Sequence, residues 1–188
     1  MVLNNVKRRT TARPVAARAT MPWPALAASL LFALCATLLL ASRAHAQDSG
    51  IAVGSKAPAA AVETLDGQPA DLASVIGKGP VVVQFWATWC PTCKAMEPMM
   101  AAAQQKYAGK VTFVGVAVSV NQTPRAVQAY AEKHAPTVKQ FFDRRGKAVD
   151  AYEVPATGFV VVINKAGQVV YTGLGSQVDL EAALKKAM

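Results

Sequence analysis

Cysteine, histidine and early acidic residues are what this sequence is short of: it holds three Cys and two His, and no Asp or Glu precedes Asp48. The first two shortages narrow the chemistry. A structural zinc site needs four ligands, and beside one C-x-x-C pair there is no second Cys/His pair to complete it. Lys94 follows Cys93, so the C-x-x-C-H haem attachment motif is missing as well. No metal ligands are therefore assigned. Long apolar runs are also lacking: the longest, 25–41, has 17 residues, the low edge of the range of about 17–25 that spans a membrane. There is no internal repeat and no low-complexity tract beyond an Ala-rich composition.

The absence of early acids explains a formal charge of +9. Lys7, Arg8, Arg9, Arg13, Arg18 and Arg43 are six positives within the first 46 residues, and the remainder carries fourteen basic against eleven acidic residues. Those fourteen are scattered, with only short clusters such as Arg144-Arg145 and Lys185-Lys186. Nucleic-acid binding needs a basic stripe or a recognisable motif, so no nucleic-acid partner is expected. A basic n-region, the apolar run 25–41 and the A-x-A site Ala44-His45-Ala46 instead form the three parts of a secretory signal. Residues 1–46 are thus expected to be a signal peptide, removed before Gln47; the alternative is an uncleaved membrane anchor. Cys35 leaves with the leader in the first case, and bulky Leu34 before it argues against a lipoprotein cysteine. Both cases place residues 47–188 outside the cytoplasm, in the periplasm, with membrane contact only if the leader is retained.

Beyond Gln47 the pattern alternates. Residues 60–64 read as a short strand with a turn at Asp66-Gly67, and 71–76 as a short helix. Val81-Val82-Val83-Gln84-Phe85-Trp86 is a β-branched and aromatic run of the kind a strand buried on both faces requires. A helix is predicted from Pro91 to Tyr107, kinked at Pro98. A second buried strand is predicted over 111–118, then a helix over 124–134 capped by Thr123. Phe141-Phe142 marks a short extended segment, 159–163 and 168–171 form a hairpin, and 178–187 a closing helix capped by Ser176 or Gln177. Strands alternating with helices and ending in a hairpin indicate an α/β fold, a central mixed sheet flanked by helices.

Two cysteines remain in the mature chain, Cys90 and Cys93. A bridge across two intervening residues closes almost no loop and stabilises little, so the pair is present for reactivity. Cys90 falls where a buried strand ends and a helix begins. The partial positive charge and unpaired N–H groups there stabilise a thiolate and lower its pKa. Cys93, one turn on, is placed to resolve a mixed disulfide formed on Cys90. Trp86 is expected in the core, whereas Trp89 flanks the cysteine at the surface and contacts substrate, with Pro91 and Thr92 assigned to the same surface. Lys94 either tunes the thiolate or is a solvated helix-face lysine. Met96, Met99 and Met100 share a helical face as core, and His134 is read as a helix-end surface residue.

The stretch Phe85-Trp86-Ala87-Thr88-Trp89-Cys90-Pro91-Thr92-Cys93-Lys94 resembles the active site of the thioredoxin superfamily, specifically of exported TlpA/DsbE-like thiol–disulfide reductases. The resemblance covers about residues 50–188. It implies a thioredoxin fold with an N-terminal extension and no cofactor beyond the redox-active Cys90–Cys93 disulfide. It matches Pro98 to the family's helix-kinking proline and Val154-Pro155-Ala156-Thr157 to its cis-proline loop. Pro155 would then face the disulfide, and the Val154 backbone would pair with a substrate chain. It further implies protein dithiol or disulfide substrates, such as apocytochrome c or copper-site cysteines of oxidase assembly proteins. Electrons would come from a membrane donor of the DsbD/CcdA kind. Two departures follow from the same comparison: Gln84 stands where thioredoxins keep a buried acid, and Met96 where many TlpA/DsbE-like reductases keep a glutamate. Glu97, about 100° round the helix from Met96, Glu153 or water is left as proton acceptor. Ala156 stands where the cytochrome-maturation branch usually carries an acid.

Two other readings share the fold. A disulfide-donating oxidase normally inserts a helical domain, for which the segment between Cys93 and Phe141 leaves no room beyond one strand and one helix. A copper-binding assembly module of the Sco kind carries C-x-x-x-C and a histidine well downstream; here the spacing is two, and His134 comes too early.

Overall fold

In the computed structural model, residues 50–188 are described. The leader, its cleavage site and Cys35 lie outside them. Seven strands form one sheet in the order β2-β1-β5-β4-β3-β6-β7. The strands are β1 (Ala61–Glu63), β2 (Pro69–Asp71), β3 (Val81–Trp86), β4 (Thr112–Val118), β5 (Lys139–Asp143), β6 (Phe159–Ile163) and β7 (Val169–Leu174). β3, β4 and β5 run parallel, while β1, β6 and β7 pair antiparallel to their neighbours. The sheet is mixed, as the alternating pattern predicts.

β3 lies inside the sheet, between β4 and β6, and both its faces are apolar. Val81, Val82, Val83 and Phe85 are fully buried, and burying such a side chain contributes about 1.5–3 kcal/mol. Alternation sends them to opposite cores. Val81, Val83 and Phe85 join Val114, Val116, Phe141 and Tyr152 on one face. Val82 packs on the other with Met96, Met100 and Leu184 from helices α1 (Pro91–Lys106) and α4 (Leu180–Ala187). The methionines are core, as their spacing implies: Met96 and Met100 are buried and Met99 partly so. Helix α2 (Pro124–His134) covers the same side through Val127, against Trp86, Ala117 and Phe142. No helix among the described residues is long and apolar enough to cross a membrane.

Several local expectations need correction. The helix expected over 71–76 shrinks to a 3-10 turn at Leu72–Ser74: Asp71 belongs to β2 and caps the turn by accepting from the Ala73 N–H at 2.7 Å. α4 begins at Leu180 with Asp179 as its cap, accepting from Ala182 N–H at 2.9 Å; neither Ser176 nor Gln177 caps it, since both lie in a 3-10 turn (Gly175–Gln177). Two elements are additional: the edge strand β2 and the short helix α3 (Lys147–Ala151), whose Val149 N–H donates to the buried Asp143 carboxylate at 2.8 Å. The hairpin strand β7 runs on to Leu174.

Candidate active site

Cys90 ends the loop leaving β3 and is the N-cap of α1. Its φ of −78° and ψ of 111° are extended, and Pro91 takes the first helical turn, where no N–H is required. The cap is the sulfur itself: Cys90 Sγ accepts from the Cys93 N–H at 3.0 Å. Cap, pre-set proline and helix N-terminus thus converge on one atom, which favours its thiolate in the reduced protein. The structure is oxidised, with a Cys90–Cys93 disulfide and Cα atoms 5.3 Å apart. Both residues are buried among Trp86, Ala87, Val118 and Phe142.

The loop before Cys90 is held from the β4–α2 connection. Gln122 accepts from Thr88 N–H at 2.9 Å and donates to the Val118 carbonyl at 2.5 Å, while Trp89 Nε1–H donates to the Val120 carbonyl at 2.8 Å. Trp89 is 44% exposed beside the cysteine, at the surface where the sequence places it. The Gln122 clamp escapes a reading of the sequence; a positive φ at neighbouring Asn121 (52°) turns the chain so that it reaches Thr88.

Thr92 is the contact of α1 with the loop before β6. A Cβ at Gly158 would lie 3.3 Å from its methyl, and one at Gly175 3.0 Å. Both glycines have positive φ, 90° and 71°, and Gly175 N–H donates to the Gly158 carbonyl at 3.0 Å. The Val154–Gly158 loop therefore does flank the first turn of α1. The cis assignment at Pro155 is corrected: among the described residues every peptide bond is trans. The chain reverses instead through Glu153 (φ 49°) and Gly158, which supply the change of direction. Pro155 is exposed, and Val154 is half-buried with its N–H already donated to the Val149 carbonyl at 3.0 Å.

Of the candidate proton acceptors the structure brings Glu97, not Glu153, to the cysteines. Glu153 is exposed in the turn after α3. Glu97 lies four residues after Cys93, on the same face of α1. It accepts from Tyr130 Oη–H at 2.5 Å and contacts His134 Nδ1 at 3.1 Å. The Tyr130 and His134 rings stack with centroids 4.1 Å apart. Burial, and then the hydrogen bond to Glu97, push the Tyr130 phenol up to about 12. Lys94 is exposed and stands over the same ring, 5.9 Å from its centroid. His134 is at the helix end as expected, but its pairing across α1 and α2 is additional. Among the described residues, no group of three His, Cys, Asp or Glu is placed to hold a metal ion.

Comparison with known proteins places this geometry. The Redoxin family profile matches residues 52–187. The thioredoxin-like protein YneN of Bacillus subtilis is 30% identical over 141 residues, covering 73% of this chain and 82% of YneN. The thiol-disulfide oxidoreductase ResA of Bacillus subtilis is 29% identical over 151 residues, 80% of this chain and 83% of ResA. A solved structure of a secreted disulfide oxidoreductase from Mycobacterium tuberculosis, homologous to E. coli DsbE, is similar with a TM-score of 0.57 and 28% identity. It aligns with 66% of this chain and 93% of its own.

Proposed function

The chain belongs to the Redoxin family, and from that premise we propose that it is an exported reductase of protein disulfides. That it is a thiol–disulfide oxidoreductase on a thioredoxin-like fold comes with the membership; direction, compartment and client are the inferred part. The observation that carries the direction is the compact connection between α1 and β5, which holds only β4 and α2 and leaves no room for the helical domain that a disulfide-donating oxidase of this fold inserts.

In the forward cycle the Cys90 thiolate attacks one sulfur of a client disulfide and expels the other as a thiolate. Cys93 then attacks Cys90 Sγ, releasing the second client thiol and leaving the Cys90–Cys93 disulfide. Two electrons have passed to the client. A membrane dithiol donor of the DsbD/CcdA kind restores the reduced pair. Apocytochrome c and the copper-site cysteines of oxidase assembly proteins are clients of the right chemistry.

The reduction potential of the purified protein, equilibrated against dithiothreitol and followed by Trp fluorescence, tests the direction. A value below the glutathione poise of about −220 to −260 mV is expected; one near −120 mV, typical of a strong donor, would make it an oxidase. Export is tested separately by N-terminal sequencing of the protein recovered from the periplasm. A mature chain beginning at Gln47 is expected, and recovery of the full-length chain from the cytoplasm would refute export.

A further inference from the structure

Neither position that normally carries the proton acceptor in such sites can serve here. Gln84 is an amide and Met96 a thioether packed in the core, and neither takes up a proton. A cavity of about 60 Å³ nevertheless touches Cys93, and its wall includes Gln84, Glu97, Tyr130 and His134. That volume accommodates water, and the wall offers polar partners for it. Cys93 and Glu97 border the cavity from the same face of α1, spaced i and i+4, which places their Cβ atoms about 5–6 Å apart. From the outer side, Glu97 is 34% and His134 41% exposed, so the assembly also reaches solvent.

We propose that Glu97, oriented by Tyr130 and His134, accepts the proton of Cys93 through water in this cavity. When Cys93 resolves a mixed disulfide, its S–H proton passes to the Glu97 carboxylate. The resulting thiolate forms the bond to Cys90 Sγ, the bond from Cys90 to the client sulfur breaks, and its electron pair leaves on that sulfur. The proton then escapes to bulk at the His134 edge, and in the reverse direction it travels back to Cys93. Tyr130 and His134 are positioning residues. The Tyr130 hydroxyl stays protonated at neutral pH and so remains a donor that holds the Glu97 carboxylate in place. The groups facing Glu97 are Tyr130 and His134 from α2, with Lys94 one turn back on α1 over the Tyr130 ring; the sheet side contributes the neutral amides Gln84 and Gln140.

This inference rests on dithiol exchange and holds in either direction. It is tested on the reduced chain carrying Cys35→Ala, so that Cys90 and Cys93 are its two thiols, with 5,5′-dithiobis(2-nitrobenzoate), whose two thiolates leave in sequence, the first by attack of Cys90 and the second by resolution through Cys93. In Glu97→Gln the rate of the second release relative to the first is expected to fall about 10–100-fold at neutral pH, toward the scale of a lost proton acceptor. The remaining rate should climb with hydroxide instead of levelling. Tyr130→Phe, which removes one donor, is expected to move the inflection of the second release to higher pH. An unchanged ratio and inflection in both folded variants would overturn the assignment. In Cys93→Ser the second release should vanish; its persistence would instead overturn the dithiol mechanism itself.

Discussion

Replacing Cys90 by Ser is expected to abolish reduction of a protein disulfide, on the order of a 10³-fold loss or more, whereas replacing Cys93 by Ser should halt the reaction with the client covalently attached. The asymmetry comes from the helix terminus. Cys90 is the cap, its sulfur accepting an N–H at the positive end of α1, so its thiolate is the stabilised one. Cys93 is one turn inside, and its own N–H is the donor of that bond. A Ser at Cys90 keeps a capping oxygen, so α1 should still form, but an unactivated hydroxyl does not open a disulfide. A Ser at Cys93 leaves the nucleophile and removes the resolving thiol. Non-reducing electrophoresis with mass spectrometry of a disulfide-bonded client is the measurement. An adduct accumulating on the Cys93→Ser protein at Cys90 is expected. Adducts on Cys90→Ser in its place would reverse the two roles, and adducts on neither would refute a mixed-disulfide mechanism.

The parts of this site that rest on local physics were legible in the residues. A run apolar on both faces, then a proline after a cysteine, dictates a buried strand running into a helix start, and β3 and α1 follow it closely. Thr123-Pro124 likewise announces α2, which the structure realises with the Thr123 hydroxyl accepting from Ala126 N–H at 3.2 Å. Short elements were not legible. β2 has three residues and α3 five, too few to display a period. Asp143 is an example: nothing in Phe142-Asp143-Arg144 tells that its carboxylate will be buried and accept from the Val149 N–H of α3. The Glu97–Tyr130–His134 assembly has the same origin, because its members are 33 and 37 residues apart and meet only when α1 packs beside α2. Pro155 shows the opposite error, in which a resemblance carried a backbone isomer that this chain's turn at Glu153 does not use.

Gly115→Val is expected to destabilise the sheet by about 1–4 kcal/mol, even though glycine is a poor strand former and valine a good one. Gly115 is mid-strand in β4, beside Gln84 on β3 and Gln140 on β5. The Gln140 side chain crosses over it so that Oε1 accepts from Trp86 Nε1–H at 3.0 Å. A Cβ at position 115 would collide with Gln140 Oε1 and lie 2.8 Å from Trp86 Nε1. Strand propensity spans only about 1 kcal/mol. Against it stand overpacking, about 1–3 kcal/mol, and a part-buried hydrogen bond forced open, about 0.5–1.5 kcal/mol. The steric terms win. Trp86 also packs on Tyr130, with ring centroids 5.5 Å apart, so the damage should reach the wall of the Cys93 cavity. Urea unfolding of the oxidised protein measures the loss. A cycle with Gln140→Ala identifies its cause: if the glycine exists to let that side chain pass, Gly115→Ala should cost less in the Gln140→Ala background than in wild type, with a coupling of about 0.5–3 kcal/mol. Strictly additive losses would mean that Gln140 moves aside freely, and a Gly115→Val protein within about 0.5 kcal/mol of wild type would show that the crossing imposes no constraint on β4 at all.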